Sequence, residues 1–488
     1  MDEDGVESMT VAIPGRGLTR VSINTSKIQD KVQASLGVYE HASALGAAFG
    51  PYVKTCLDSF LELVAFKYSC ELRAVSAQTL AAVFEAACLN GENVGMSVPS
   101  EYLPAVAKAI AKQIVQEEND ERETLCTLAS ALSAVCYSVY SRMEDYKHEL
   151  LGSFTNDDAH FVVKQCMGAL ATCFERRSHM HVLLKGSQGA LSGDEILDYE
   201  RNLQTEEELL TPLVDSVGYN LKFLKQRFLP IFESQVAPVL GSFLSATCND
   251  ARAQLAAVCL FDDCVEHCGT EAAAKYAPQL VATTVNGLAN DAEPELKRAC
   301  IYGIAQMSRY APSTVLLPFG NIILPKLFGI VSQGKEEYDN DVIFENAVSA
   351  LASLVLFDNA IFKAGLLKYD LVLRTFLHSM PLQEDPDEAS ICITGLCDLV
   401  EKGTINVRSD FVELVRIIGE TMVLVTQEEL RVSSETVVRL AGILFQLQRE
   451  VPSDRINQAF NLLPQESQWI VNRVMQEYGH HFANVVSP

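Results

Sequence analysis

Apolar residues recur along most of the chain with the spacing of an α-helix. In residues 122–141 they fall at the i, i+3, i+4 and i+7 positions that share one helical face. That face is formed by Leu125, Leu128, Ala129, Leu132, Val135, Cys136 and Val139. Similar stripes predict helices over 71–89, 101–117 and 161–176, whereas strand-like alternation is scarce. The pattern therefore predicts an all-α protein built from amphipathic helices.

The sequence also repeats over a longer period than that of a single helix. Four segments place acidic or asparagine residues in a turn just before an apolar helix, and Asp250, Asp291, Asp341 and Asp387 mark them at spacings of 41, 50 and 46 residues. Asp or Asn at a helix N-cap accepts hydrogen bonds from unpaired N–H groups. Pro294 and Pro386 stand where a first-turn proline is tolerated. A period near 40–47 residues with two helices per unit is the HEAT/armadillo signature.

These two periods together predict a right-handed superhelical α-solenoid of HEAT repeats, with about ten helix pairs. We expect the first helices on its convex face and the second helices on its concave face. Helix pairs of this kind cannot bury their apolar faces alone, so neighbouring pairs must stack.

Two segments interrupt the repeat pattern. Residues 1–24 contain Pro14, Gly15 and Gly17 and no helical stripe, which predicts an irregular lead-in. Residues 186–208 carry glycine/serine turns and then concentrate acidic residues, which predicts an exposed acidic loop with room for a short helix. The loop would divide the array into residues 25–185 and 209–482. The second stretch is expected to end in a capping helix that packs the only tryptophan, Trp469.

Composition narrows the class of protein. The 488 residues include 38 Lys+Arg and 63 Asp+Glu, for a net charge of −25, and 48% are hydrophobic. So much apolar material excludes a mostly disordered chain. The acidity argues against a nucleic-acid-binding surface, which needs clustered Lys and Arg, and favours basic partners.

The fourteen cysteines show no framework spacing. Together with an acidic N-terminus that lacks an apolar leader, they favour reduced, buried thiols in a cytoplasmic or nuclear protein. The sequence contains no run of about 18 uncharged apolar residues, so it predicts no transmembrane helix.

One group of residues raises the hypothesis of a metal site. Cys259, Cys264, His267 and Cys268 offer thiolate and imidazole ligands, and Cys264 and Cys268 share a helical face. No CxxC pair completes a closed zinc site, so small core cysteines and a helix-end histidine are the favoured interpretation. The motifs GxxxxGK[ST], GxSxG and HExxH are absent from the sequence. We therefore predict no enzyme, no metal and no cofactor.

The carboxylates are the stronger candidates for function. A groove lined by one sign of charge steers oppositely charged partners, although a solvated acidic surface that keeps the chain soluble is the simpler alternative. We predict two lysine-holding patches, one from Glu384, Asp385, Asp387 and Glu388, and one from Asp262 and Asp263.

Several segments resemble the karyopherin-β (importin-β) family, in particular its importin-5 (importin-β3) class. They are CLFDDCVEHCG at 259–269, ACIYGIAQMSRYA at 299–311, ENAVSA at 345–350, MPLQEDPDEASICITGLCDLV at 380–400 and LLPQESQWIVNRVM at 462–475. Their order and approximate spacing match the C-terminal half of that family. The acidic segment 186–208 also lies where the family places an acidic insertion.

The resemblance implies a nuclear transport receptor. It would bind basic cargo, such as ribosomal proteins or histones, cross the nuclear pore, and release cargo to Ran-GTP, shuttling between cytoplasm and nucleus. Nucleoporin FG repeats are further partners that the resemblance suggests. Asn346 is a candidate clamp for the main chain of an extended peptide, or else a bridge between repeats.

One departure from the family bears on Ran. Family members are roughly twice this long, and their N-terminal repeats, which carry most of the Ran-GTP contact, are not matched here. Ran binding is therefore implied for the full-length family rather than for this chain. The alternative function is a HEAT-repeat scaffold for a protein assembly with no transport role.

Overall fold

The computed structural model describes residues 6–13, 17–118, 121–186, 192–245, 248, 250–289, 292–334, 341–364 and 367–483. Within them, a β-hairpin is followed by helices only. The helices are α1 Thr25–Leu45, α2 Val53–Leu63, α3 Cys70–Val94, α4 Ser97–Gln116, α5 Arg122–Tyr140, α6 Met143–Leu151, α7 Asn156–Gly186, α8 Gly193–Leu224, α9 Leu229–Ile231, α10 Ala237–Leu240, α11 Ala251–His267, α12 Thr270–Gly287, α13 Pro294–Tyr310, α14 Gly320–Gln333, α15 Asp341–Leu356, α16 Tyr369–Ser379, α17 Pro386–Glu401, α18 Phe411–Thr426, α19 Ser434–Glu450, α20 Ser453–Asn461 and α21 Gln465–Ala483.

The prediction of an irregular lead-in is wrong. Strand β1 (Val6–Ile13) pairs antiparallel with β2 (Gly17–Asn24), with Val6 opposite Asn24 and Ile13 opposite Gly17. Residues 8–11 and 20–24 alternate polar and apolar side chains, which is the period-2 pattern of a strand. Gly17, which suggested irregularity, is the first residue of β2, and Pro14 and Gly15 lie outside the described residues.

The chain forms two compact units. The first comprises residues 1–243 and 248–269, and the second comprises residues 244–247 and 270–488. The division thus falls well after the predicted boundary at 186–208, because α7 and α8 pack against each other within the first unit.

The first unit is built from two rows of helices. One row runs α1, α3, α5, α8 and α11, and each helix packs against the next. In the other row, α2 packs on α4 and α4 on α7, followed by the short helices α9 and α10. The predicted stripe of α5, from Leu125 to Val139, is buried between these neighbours. This is the stacked two-helix arrangement that the sequence period predicts.

Helix α3 is apolar enough to cross a bilayer by length and composition, and α5 with α6 passes the same test only as a pair bent by 101°. In α3, however, 61% of the most apolar window is buried inside the unit, where the helix packs against α1 and α5. Its apolar residues are therefore accounted for as core positions.

The predicted acidic loop is instead the first half of α8. Ser192 caps this helix through a capping box, in which the Ser192 hydroxyl accepts from the Glu195 N–H and the Glu195 carboxylate accepts from the Ser192 N–H. The Ser-x-x-Glu spacing is a helix-start signal, whereas the high local charge density favours a loop. Residues 187–191 lie outside the described residues.

One ion pair in the first unit connects helices that are not sequence neighbours. Asp250 is the N-cap of α11, and its carboxylate also accepts two hydrogen bonds of 2.9 Å from Arg177 of α7. Burial would raise the pKa of Asp250, but the Arg177 guanidinium outweighs that and holds the pKa below its usual range. The pair therefore joins α7 to α11 while α8 lies between them in the chain.

The second unit, taken by itself, also has two rows of helices. Helices α13, α15, α17 and α19 form one row, and α14, α16, α18 and α21 belong to the other. The first-row helices begin at Pro294, Asp341, Pro386 and Ser434, about one every 45 residues. Pro294 and Pro386 are the first residues of their helices, as predicted. The turn residues Asn249, Asp291 and Asn340 lie outside the described residues.

Candidate functional site

The acidic group at 384–388 is the start of α17. Asp385 is the N-cap, and its Oδ1 accepts from the N–H groups of Asp387 and Glu388 at 3.1 Å each. Burial, and then the neighbouring carboxylates Glu388 and Asp387, raise the pKa of Asp385. Glu384 and Asp387 are exposed. Two of the four predicted carboxylates are thus available to a partner, and Asp385 is engaged in capping.

Glu388 does not belong to the predicted lysine-holding patch, because it is buried. Its side chain is only 4% exposed, and Arg309 of α13 donates to both of its carboxylate oxygens at 2.7 and 2.6 Å. Ser349 of α15 and Gln306 of α13 also donate to it. Burial acts to raise the pKa of Glu388, but these donors, above all Arg309, hold it below its usual range. Glu388 therefore joins three first-row helices and does not face a partner.

The second predicted patch is also divided by burial. Asp262 is 1% exposed, and neither carboxylate oxygen has a hydrogen-bond partner among the described residues. Burial, followed by the charges of Asp263 and Glu266, raises its pKa well above the ordinary value. Asp263 is half-buried and already has a lysine, because the Lys222 Nζ lies 3.2 Å from its Oδ1. Asp262 cannot hold an external lysine in this conformation, and the prediction for it is wrong.

Asn346 does not have the geometry of a peptide clamp. Its side chain is 7% exposed, and its Nδ2 donates to the main-chain oxygen of Arg298 at 3.5 Å. Asn346 lies on α15 and Arg298 on α13. The structure thus corresponds to the alternative role, a bridge between repeats.

The structure gives the predicted cysteine–histidine cluster a different set of neighbouring ligand atoms. Cys264 and Cys268 are buried, and the Cys268 thiol donates to the main-chain oxygen of Lys225. Burial and the nearby lysines lower the pKa of His267 to about 4, so its imidazole is neutral. Among the described residues, the ligand atoms that lie within 4.8 Å of one another belong to Asp263, Glu266 and His267. Because the Lys222 ammonium already pairs with Asp263, we do not propose these three side chains as a metal site.

The acidic residues 194–208 also separate into two kinds. Asp194, Glu195, Asp198 and Glu200 are exposed on the first turns of α8. Glu206 is 1% exposed, and its carboxylate accepts from the Arg176 guanidinium at 2.6 and 2.7 Å. The exposed turns add to the acidic surface, whereas Glu206 holds α8 against α7.

Sequence reasoning missed two surface features. Trp469, predicted to be packed, is 60% exposed, with the Arg473 guanidinium 5.7 Å from its ring. Three tyrosines of α5 and α8, Tyr137, Tyr140 and Tyr219, form a ring cluster beside charged residues. Residues about 80 positions apart in the sequence give no local signal of such a cluster.

The fold is that of a HEAT-type helical array, with buried ion pairs between stacked helices and exposed carboxylates at helix starts. No family model matches the chain. It is 22% identical over 408 residues to importin subunit beta-3 of Saccharomyces cerevisiae, a match that covers 79% of this chain and 33% of that protein. This chain therefore spans about a third of the curated relative's length.

Solved structures of the karyopherin Kap121p have the same fold. The structure bound to RanGTP matches with a TM-score of 0.65 at 17% identity, over 97% of this chain and 39% of that one. The Kap121p structure without a named partner gives a TM-score of 0.64 at 19% identity, over 96% and 38% of the two chains. The predicted helical-repeat solenoid fold and the resemblance to karyopherin-β proteins are thereby confirmed.

Proposed function

We propose that this chain is a cargo-binding segment of a nuclear transport receptor, with a binding role and no catalytic step. The observation that carries the proposal is similarity to importin subunit beta-3 along 79% of the chain, joined to a shared fold over nearly its whole length. Kap121p, which has that fold, has been solved with Ste12p, Nup53p, Ulp1p and RanGTP. The same kinds of partner, protein cargo, a nucleoporin and Ran, are the ones proposed here.

Charge supports basic cargo in particular. The chain carries a net charge of −25, and the described residues present exposed carboxylates at the starts of α8 and α17. Such surfaces accelerate association with Lys- and Arg-rich segments and make it salt-dependent. Glu384 and Asp387 are the residues of the predicted patch that remain available for this role.

Release by Ran-GTP requires that cargo and Ran prefer different conformations of the array. The chain spans 33% to 39% of the length of these relatives, so a partial receptor that holds cargo without the full switch fits the proposal as well. Either form would act in the cytoplasm and the nucleus.

The test is a titration of a fluorescently labelled Lys-rich histone-tail peptide with the whole chain, followed by anisotropy. It is run at low and high salt, each with and without Ran-GTP. Binding at low salt that weakens with salt supports the proposal. Reversal by Ran-GTP identifies a self-sufficient receptor, and failure of Ran-GTP to reverse binding identifies a cargo-holding segment.

Absence of binding at low salt would overturn the proposal. The scaffold alternative would then be tested by capture of a folded partner, since a scaffold has no reason to bind an unfolded basic peptide. A polyglutamate peptide of equal length serves as the control, because an acidic chain that binds by charge should not bind it.

A further inference from the structure

Three tyrosines lie together on the first-row helices of the first unit. The ring of Tyr219 on α8 stacks on Tyr140 of α5, with centroids 5.4 Å apart and planes 27° from parallel. Tyr137, one turn earlier on α5, lies 5.5 Å from the same Tyr219 ring at 57°. Tyr137 is 53% exposed, and the other two rings are half-buried. The cluster therefore presents aromatic surface to solvent.

Charged groups border this ring cluster on α8 and α11. The Lys222 Nζ lies 6.0 Å from the centre of the Tyr140 ring and 3.2 Å from the Asp263 carboxylate. Gly218, near the C-terminal end of α8, permits this approach, because a Cβ there would lie 3.2 Å from the Asp263 Oδ2. The structure thus already contains one cation held jointly by a tyrosine face and a carboxylate.

A second carboxylate in the same place has no such cation. Asp215 lies one helical turn before Tyr219 and two before Lys222, so the three share a face of α8. Asp215 is half-buried, and among the described residues its carboxylate has no hydrogen bond and no ion pair within 4.0 Å. Burial raises its pKa, and Lys222 only partly offsets that effect. A desolvated carboxylate without a partner is costly unless something pairs with it.

We propose that these groups form a recognition site for an arginine side chain of a basic peptide. We call the site the tyrosine–aspartate patch; its members are Tyr137, Tyr140, Asp215, Tyr219, Lys222 and Asp263. The guanidinium stacks on the exposed tyrosine surface and pairs with Asp215, as Lys222 pairs with Asp263 over Tyr140. The inference rests on the proposed function for the presence of a basic partner.

Arginine fits this patch better than lysine does. A guanidinium is planar, stacks on aromatic faces and offers a fork of donors to a carboxylate, whereas an ammonium is a compact, strongly hydrated charge. Cation–π contact at a partly exposed tyrosine corresponds to roughly a threefold gain in affinity. The patch therefore predicts a preference between two peptides of equal charge that depends on Tyr137 and Asp215 and not on carboxylates elsewhere on the surface.

The test compares labelled nona-arginine and nona-lysine peptides by anisotropy on the whole chain. Wild-type protein is expected to bind the arginine peptide at least about threefold more tightly. Tyr137→Ala and Asp215→Asn are each expected to bring the two affinities together. Tyr137→Phe keeps the ring and is expected to keep the preference.

Two control variants distinguish the effect of losing a patch residue from the effect of losing any exposed tyrosine or carboxylate. Tyr68→Ala removes a tyrosine that is 58% exposed elsewhere in the first unit, and Asp198→Asn removes one exposed carboxylate of α8. Neither is expected to change the preference. Circular dichroism and thermal melting of each variant establish that the fold is retained. If Tyr137→Ala melts at a lower temperature than wild type, it is replaced by Tyr137→Leu, which retains apolar bulk but has no aromatic face.

The outcomes distinguish this inference from the function on which it rests. Binding of both peptides without an arginine preference, or a preference that survives Tyr137→Ala and Asp215→Asn, overturns the patch and leaves the basic-cargo proposal standing. Failure of wild-type protein to bind either peptide overturns the basic-cargo proposal and the patch together.

Discussion

Glu388 in the second unit and Asp262 in the first are both carboxylates on first-row helices, and both were predicted to hold a partner's lysine. They are buried to nearly the same degree, at 4% and 1% exposure. Glu388 is met by Arg309, Ser349 and Gln306, whereas neither oxygen of Asp262 has a partner among the described residues. Burial alone therefore does not decide what a carboxylate does in this fold; the donors on neighbouring helices do.

The two carboxylates give the fold opposite responses to pH. Because the pKa of Glu388 is lower in the folded state than in the unfolded state, its contribution to stability is present above the ordinary carboxyl pKa and is lost on acidification. Because the pKa of Asp262 is raised by folding, its contribution is complete below the ordinary carboxyl pKa and is lost as the pH rises.

The largest expected effect comes from removing the arginine that pairs with Glu388. Arg309→Met leaves a buried carboxylate without its charge partner and should lower the free energy of unfolding by about 3–5 kcal/mol. Urea denaturation monitored by circular dichroism measures it. Arg298→Met, an exposed arginine on the same helix, is the control and should stay within about 0.5 kcal/mol. Equal losses in both variants would mean that Arg309 is not paired as described.

Asp262→Asn should have the opposite sign. It removes the ionisation that folding opposes, so it is expected to stabilise the chain by about 1–3 kcal/mol at pH 7. The gain should shrink toward about pH 4, close to the ordinary pKa of an aspartate, because the unfolded state then also begins to bind the proton. Denaturation at a series of pH values from 4 to 7 measures it, with Asp198→Asn on the exposed part of α8 as the control. A destabilised Asp262→Asn at pH 7 would show that the carboxylate has a partner.

Ser349→Ala tests how much of the free energy of unfolding that depends on Glu388 comes from the Ser349 hydrogen bond rather than from the ion pair with Arg309. The variant removes a donor to the carboxylate and leaves the ion pair, so a loss of about 1–2 kcal/mol is expected. Ser332→Ala, at an exposed position of α14, measures the general effect of the substitution in a helix. A Ser349→Ala loss as large as that of Arg309→Met would reassign the main role to the hydroxyl.

The smallest effect should come from the exposed neighbours of Glu388. Reversing Glu384 and Asp387 to lysine is expected to weaken binding of a basic peptide several-fold at low salt and much less at high salt, since exposed charges are screened. Anisotropy at two salt concentrations measures it. The same double reversal at the exposed Glu428 and Glu429 is the control. An equal loss at both salts would exclude electrostatic steering as the cause.

Much of the fold follows from local pattern, because helical periodicity and helix starts are written in nearby residues. The stripe of α5 and the first-turn positions of Pro294 and Pro386 are of this kind. Asp387 and Glu388 show the limit. They are adjacent in the sequence, yet one is exposed and the other is paired with Arg309, 79 residues earlier in the chain. Helix phase and the choice of neighbouring helix decide such cases, and neither is visible in a list of carboxylates.

The hairpin and the start of α8 were mispredicted for a different reason. The sequence contains signals for both, namely strand alternation and the Ser192–Glu195 capping box, but glycine content in the first case and charge density in the second favour irregular structure. The tyrosine–aspartate patch had no comparable signal, because its members come from three helices.

The Arg177–Asp250 pair has a consequence for how this array unfolds. Stacked repeats are often treated as a one-dimensional lattice in which each unit interacts only with its immediate neighbours and the ends can fray independently. A bond from α7 to the N-cap of α11 adds a next-nearest-neighbour coupling to that lattice. Helices α7 and α11 then cannot separate without breaking this bond, so we expect them to exchange their amide protons as one cooperative block.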